Sequence, residues 1–497
     1  MWRGMKRQLL GIDIGTSACK VAVFDEDGKV LAQANRPYRV YYPQSGWAEQ
    51  NAEEWWEAVC GAVREVLSED GVNAEQIKGI GVDGQSWSAI PVDENGRVLH
   101  NTPIWMDTRA RHICERVREE IGAEEIFRVV GNDFLPSYVT PKLLWFKEER
   151  PEIFRKTHKF LQSNSYLVMK LTGEMSQDYS QCYGIHFFDM EKLVYDTALA
   201  EKMGLSPDLM PKLYGCDEIV GSVTKEAAEK TGLKAGTPVA AGGLDAACGA
   251  LGAGVYRAGE TQEQGGQAGG MSICTDKALA HKALILGTHV VPGLWLLQGG
   301  TVGGGGALKW FRQELGGGLS FDELTAEADR IAPGADGVMF LPYMAGERSP
   351  IWNPDAKGVF YGLSYDKTRG HMIRAVLEGV AFSLEHNLRT AAQTGVNVDT
   401  LNAMGGASNS VLWTQIKADV TGKTIRVPSS DTATTLGAAM LSGVGCGVYG
   451  SYDEAVSRTI RITRIQEPNP DNRAVYDRAM ELYLRLYEDL KGTFSHS

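Results

Sequence analysis

A chain of 497 residues exceeds what one hydrophobic core supports, and 43% hydrophobic residues are ample to fill two domains. Fifty basic against 62 acidic residues leave a net charge of −12 with no basic block, which argues against a nucleic-acid partner. Eight scattered cysteines contain no Cys-x-x-Cys pair, so neither zinc nor a disulfide framework is indicated. With no signal-peptide core after the basic residues 1–7 and no long charge-free apolar run, the expectation is a cytoplasmic protein away from the membrane.

Leu9–Ile14, Lys20–Phe24 and Val30–Val40 are β-rich runs, the last two joined by Asp25-Glu26-Asp27-Gly28, and together they predict an antiparallel meander. The first run ends in Gly11-Ile12-Asp13-Ile14-Gly15-Thr16-Ser17. Gly15 permits a tight turn that brings N–H groups to an anion, Thr16 and Ser17 add hydroxyl donors, and Asp13 is placed to orient the waters of Mg²⁺. An ordinary β-turn with a local Asp hydrogen bond is the competing account. Ala52–Leu67 follows as a helix, Ile77–Val82 as a buried strand ending at Asp83-Gly84-Gln85, and Trp87–Pro91 as an extended run.

After residue 256 the same grammar recurs. Strands are expected around Met271–Cys274, Trp295–Gln298, Leu401–Met404 and Thr424–Val427, with helices over Ala307–Glu314, Arg369–Thr390, Ser410–Val420 and Thr432–Leu441. The glycine clusters Gly265–Gly270 and Gly299–Gly306 fall between elements as ligand loops or hinges. This divides the chain into an N-terminal domain (6–255), a C-terminal domain (256–450) and a charged helical extension (451–497). Gly-x-Gly-x-x-Gly at Gly79–Gly84 and Gly445–Gly450 lacks the strand-turn-helix context of a dinucleotide site, and Gly422-Lys423-Thr424 lacks the upstream glycine of a P-loop. Gly242-Gly243-Leu244-Asp245 puts a carboxylate before a small-residue helix, either as its N-cap or as a general base for a substrate hydroxyl.

Taken in order, Gly11–Ser17, Pro141–Trp145, the Asp245 turn, Phe340–Tyr343 with Gly346–Pro350, Gly358–Leu363, Arg374–Gly379 and Gly405-Gly406-Ala407 resemble the FGGY carbohydrate kinases of the actin-like ATPase superfamily. The resemblance implies an α/β fold of two RNase-H-like domains flanking a central cleft, with the sugar and Mg²⁺ loop in the first domain and the adenosine in the second. It implies ATP with Mg²⁺ as cofactors, a sugar or polyol as partner, and a pentulose as the first substrate, with another ketose or a polyol of the erythritol, ribitol or glycerol type as the alternative. A homodimer is a further expectation.

Carried over by position, Asp13 is the magnesium-organising carboxylate and Asp245 the catalytic aspartate. Gly15, Thr16, Ser17, Gly266, Gln267 and Gly303 serve the phosphates, and Gly405, Gly406, Ala407 and Asn409 the adenosine. Gln85, Ser86, Trp87 and Asp107 line the sugar site, with Trp105 and Arg109 near it, and Glu347 and Arg348 brace the cleft wall as an ion pair. Xylulokinases typically carry Gln-Met-His-Gly at Gln85-Ser86-Trp87-Ser88, Asp-Asn at Asp245-Ala246 and Gly-Thr-Ser-Gly at Gly266-Gln267-Ala268-Gly269. The lost polar groups predict an altered sugar preference, and the last loop is left to bind phosphate through its backbone. A non-catalytic actin-like ATP-binding sensor is the rival class.

Overall fold

The fold, a computed structural model, describes residues 7–429 and 432–495, so residues 1–6 and 496–497 at the two termini lie outside it. Two seven-stranded mixed sheets organise the chain. In the first, Gln8–Ile14 pairs antiparallel with Ala18–Asp25, which pairs with Val30–Pro37 to complete the expected meander. On its other side Gln8–Ile14 runs parallel to Ile77–Gly84, followed by Pro238–Ala240. The second sheet repeats this order. Glu260–Gly265 pairs antiparallel with Gly269–Thr275 and through it with Trp295–Thr301, and runs parallel to Thr400–Met404, beside which lies Thr424–Pro428.

Both faces of the first sheet are covered, which is why Gln8–Ile14 is buried along its whole length. One face takes the helix Ala52–Leu67. Its N-cap Asn51 accepts from the Glu53 N–H, and Trp55, Val59, Val63 and Val66 bury beside Leu10, Ile12 and Ile14. The other face takes the helix Ala433–Gly445, which crosses over from the second half of the chain. It lies directly on backbone, since a Cβ at Gly81 would meet the Ala438 carbonyl oxygen at 1.8 Å and one at Gly11 the Thr435 oxygen at 2.0 Å. The glycine spacing at Gly79–Gly84 therefore serves helix-on-sheet packing. The same helix crosses Asp245–Gly252 at close range, where a Cβ on Gly437 would be 1.9 Å from the Cys248 oxygen.

Several expectations need correcting. The glycine clusters lie largely inside elements: Gly265 and Gly269-Gly270 belong to paired strands, Gly299-Gly300 to Trp295–Thr301, and Gly305-Gly306 to the helix Gly305–Leu315. Close backbone approach explains them, a Cβ on Gly270 falling 2.9 Å from the Gly299 oxygen. Trp87 is not extended but turns with φ of 57°. The expected extension does not stand apart from the second domain over its described residues, 451–495. Ile462–Gln466 is the edge strand beside Thr424–Pro428, and the helix Arg473–Phe494 buries Tyr476, Met480 and Tyr483 in the second domain's core. Among the described residues no helix is long and apolar enough to cross a membrane.

Candidate active site

Three strand ends place three carboxylates at one edge of the first sheet. Parallel pairing sets Asp13 beside Asp83, and Asp83 beside Gly243 just ahead of Asp245. Leu244 is the N-cap of the helix Asp245–Gly252, so Asp245 is its first residue and not its cap. Its Oδ1 accepts from the Ala246 N–H at 2.6 Å. Desolvation, and then the like charge of Asp13, push the Asp245 carboxyl up to about 7. That value suits a group that must take a proton from an alcohol near neutral pH.

Asp13 is buried, and its Oδ2 accepts from Thr434 Oγ1 at 3.0 Å and lies 3.5 Å from Lys20 Nζ, whereas its Oδ1 has no partner. The Thr434 bond joins the first turn of the helix Ala433–Gly445 to the metal-type loop. Asp83 is 0% exposed, and no donor other than the neighbouring acid Asp13 reaches its oxygens. Burial, then Asp13 and Asp245, hold its carboxyl well above the ordinary carboxylate range. Sequence reasoning passed over Asp83 and Thr434. The available signal for Asp83 was a second buried run, Ile80–Val82, that like Leu9–Ile12 leads directly into an aspartate.

The Gly15 loop is a braced turn. The Gly15 N–H is spent on the Ala18 oxygen, so Gly15 shapes the loop and does not offer its amide to a phosphate. Tyr38 donates to the Gly15 oxygen at 2.5 Å, Gln50 to the Thr16 oxygen at 2.8 Å, and Trp105 Nε1 to Thr16 Oγ1 at 2.9 Å. Ser17 is exposed and Thr16 half-buried, which leaves these two for a ligand.

On the sugar side the expected set divides. Ser86 and Trp87 are half-buried, with Tyr183 donating to Ser86 Oγ at 2.9 Å and Trp87 packed on Tyr138 at 4.2 Å between ring centres. Gln85 is 1% exposed and donates to Gln50, so it supports the Gly15 loop from below and does not line the site. Asp107 is likewise removed from the substrate list. Both its oxygens are engaged by Arg109, Oδ2 also accepts from the Ala48 N–H, and the guanidinium stacks on Trp47 and pairs with Glu49. This is a buried structural ion pair.

On the nucleotide side three glycine loops press backbone on backbone. Gly266, Gln267 and Ala268 form an exposed hairpin tip whose Gly266 and Gln267 oxygens accept from the Gly305 and Gly306 N–H groups. Gly405, at φ of 83°, lies against Gly265 and Gly266, Gly406 faces open space, and Asn409 is exposed beside it. Ala407 is buried beneath this turn and Gly303 is buried against Pro342, so neither is presented to a ligand. Glu347 braces the wall through its bonds from the Val302 and Arg348 N–H groups, and Arg348 through the Thr301 oxygen; the two do not form the expected ion pair with each other. Below the loops the buried Lys417–Glu263 pair at 2.6 Å ties the helix Val411–Thr421 to the strand Glu260–Gly265.

No three His, Cys, Asp or Glu side chains among the described residues converge as a closed metal cage. Mg²⁺ needs none, because it keeps several waters and takes one or two carboxylates, and the unpartnered Asp13 Oδ1 fits that demand.

Two halves of like topology, with carboxylates at the strand ends of one and stacked glycine loops at the strand ends of the other, define an actin-like two-domain phosphotransferase. Models of the FGGY family of carbohydrate kinases match its N-terminal domain at residues 8–252 and its C-terminal domain at residues 270–446. The chain belongs to this family of ATP-dependent sugar kinases. It is 31% identical to the xylulose kinase of Bacillus subtilis over 487 residues, covering 98% of this chain and 97% of that one. It is 31% identical to the gluconokinase of the same organism over 504 residues, covering 99% and 98%. The xylulose kinase of Rhodospirillum rubrum superposes with a TM-score of 0.90 at 30% identity, covering 98% of this chain and all of that one.

Proposed function

We propose that this kinase transfers the γ-phosphoryl group of Mg²⁺-bound ATP to a hydroxyl of a pentulose in the cytoplasm. The observation that carries the reading is Asp245, held at the first turn of its helix with its carboxyl raised to about 7 beside Asp13. Asp245 orients the acceptor hydroxyl and accepts its proton as the oxygen attacks the γ-phosphorus. Asp13 would hold the metal through its waters, and Thr16, Ser17 and the Gly266–Ala268 tip receive the phosphates. Mg²⁺, when bound, neutralises charge on the phosphoryl oxygens. Phosphoryl transfer asks mostly for alignment and charge stabilisation, which these fixed groups supply.

The xylulose kinase relatives favour a pentulose, and the gluconokinase relative raises an aldonate as the second reading. The relatives named as xylulose kinases place a neutral ketose ahead of an aldonate. Ser86, Trp87 and Ala246 move the preference among pentuloses away from D-xylulose, because polar groups that pair with hydroxyls discriminate strongly. The test is sugar-dependent ADP release over pentuloses, hexuloses, pentitols and gluconate in one assay. A pentulose other than D-xylulose is expected to have the highest kcat/KM. A maximum at D-xylulose overturns the specificity argument, and one at gluconate overturns the substrate class.

A further inference from the structure

Asp83 is a carboxylic acid that no donor group reaches among the described residues. It is 0% exposed, and its one side-chain hydrogen-bonding neighbour is another acid, Asp13, beside it in register, with the turn carrying Asp245 on the other side. Buried polar groups are ordinarily paired, and an unpaired buried acid costs a fold stability unless something compensates for it. Asp178, equally buried, shows the ordinary arrangement: Ser180, Asn164 and the Gln181 N–H all donate to it. Among the described residues no lysine or arginine lies within ion-pair distance of Asp83, and Lys20, which faces Asp13, is largely exposed. The unpartnered Asp13 Oδ1 adds a second orphaned acceptor to the same place. Asp83 and the free Oδ1 of Asp13 are thus neighbouring acid oxygens on parallel strands with no donor between them, and a bound cation would satisfy both.

We propose that Asp83 is a second carboxylate of the magnesium site, acting with Asp13 to hold the hydrated cation at the strand ends. The proposal rests on the kinase reading above and deepens it, since that reading requires only Asp13. It accounts for an acid whose isolation the packing of the sheet does not explain. It also implies a trade: the residue burdens the metal-free fold and is relieved by the ion.

The test uses the full-length enzyme with Asp83→Asn, Asp83→Ala and Asp13→Ala. Free Mn²⁺ is counted by electron paramagnetic resonance in the presence of ADP, and unfolding is followed in EDTA. Both Asp83 variants should raise the Mn²⁺ dissociation constant by about ten- to a hundred-fold. Metal-free ADP binding should be unchanged, and Asp83→Asn should unfold in EDTA at the same or a higher temperature, its amide donating to Asp13. Wild-type Mn²⁺ affinity in both Asp83 variants overturns the inference. So does weaker Mn²⁺ binding accompanied by a lower unfolding temperature in EDTA and lost metal-free ADP binding, which would assign Asp83 to the scaffold. Undiminished Mn²⁺ affinity in Asp13→Ala as well would overturn the metal reading of the cleft itself, whereas loss there with retention in the Asp83 variants overturns this inference alone.

Discussion

Lys142 shows how one buried side chain ties together the loops around Trp87. It is 0% exposed, and its ammonium donates to the Trp87, Ile104 and Ser137 carbonyls at 2.7 Å each, joining three separate loops. Lys142→Met would leave three buried acceptors unpaired, at about 1–3 kcal/mol for each. The expected outcome is a clearly lower unfolding temperature and a raised sugar KM, because the strained turn at Trp87 loses its tether, with the ATP KM little changed. Asp245 is the second residue to probe. Asp245→Asn should lower kcat by about a hundred-fold or more while ATP affinity, measured by calorimetry, stays within a few-fold. In the wild type, kcat/KM for the sugar should climb with pH and level off above about 7, as the carboxyl loses its proton. The stability sign is opposite. The folded state binds this proton more tightly than the unfolded chain, so its contribution is fully present below the ordinary carboxylate range and is lost as pH rises through about 7. The unfolding temperature of Asp245→Asn should therefore gain on that of the wild type across this window.

Among the elements, the helix Ala433–Gly445 carries the most consequence. It sits on the first sheet, crosses Asp245–Gly252 at Cys248 and Gly252, and donates from Thr434 to Asp13, so one helix from the second half of the chain touches Asp13 and the helix that Asp245 begins. Its fit depends on glycines at ordinary φ, where only space matters. Gly81→Ala would push a methyl to 1.8 Å from the Ala438 oxygen, and the helix must shift to admit it. Overpacking of this kind costs about 1–3 kcal/mol or more. The expected outcome is a lower unfolding temperature together with a fall in kcat, because residue 81 precedes Asp83 by two positions on the strand Ile77–Gly84. Preserved kcat with a preserved unfolding temperature would show that the contact is soft.

At the scale of the molecule, the two small-residue helices Asp245–Gly252 and Ala433–Gly445, packed backbone on backbone, join elements from the two halves of the chain. Phosphoryl transfer to a sugar in competition with water is favoured by closure, so sugar with a non-hydrolysable ATP analogue should reduce the radius of gyration in solution scattering. An unchanged radius under saturating ligands would mean a rigid cleft.

What could be read from the chain itself is what local chemistry encodes. The meander, the helix Ala52–Leu67 and the Thr400–Gly445 succession follow from periodicity and turn residues, and Asp13 and Asp245 stand out because each borders a glycine turn. Glu260–Gly265 escaped because its buried residues are Thr261, Gln262 and Glu263, and only the distant Lys417 makes Glu263 tolerable there. Asp107 looked like a sugar contact until Arg109, Glu49 and Trp47 closed around it, and Gly303 looked like a phosphate donor until Pro342 covered it. Sequence determined which residue types could do this chemistry and in what order the elements occur. Tertiary structure alone decided which of those groups face the cleft, which are consumed by partners far along the chain, and that Asp83 stands unpaired between the two expected aspartates. The reason is physical: burial, pairing and close backbone approach depend on residues hundreds of positions apart, as Thr434 on Asp13 does, and no local pattern records them.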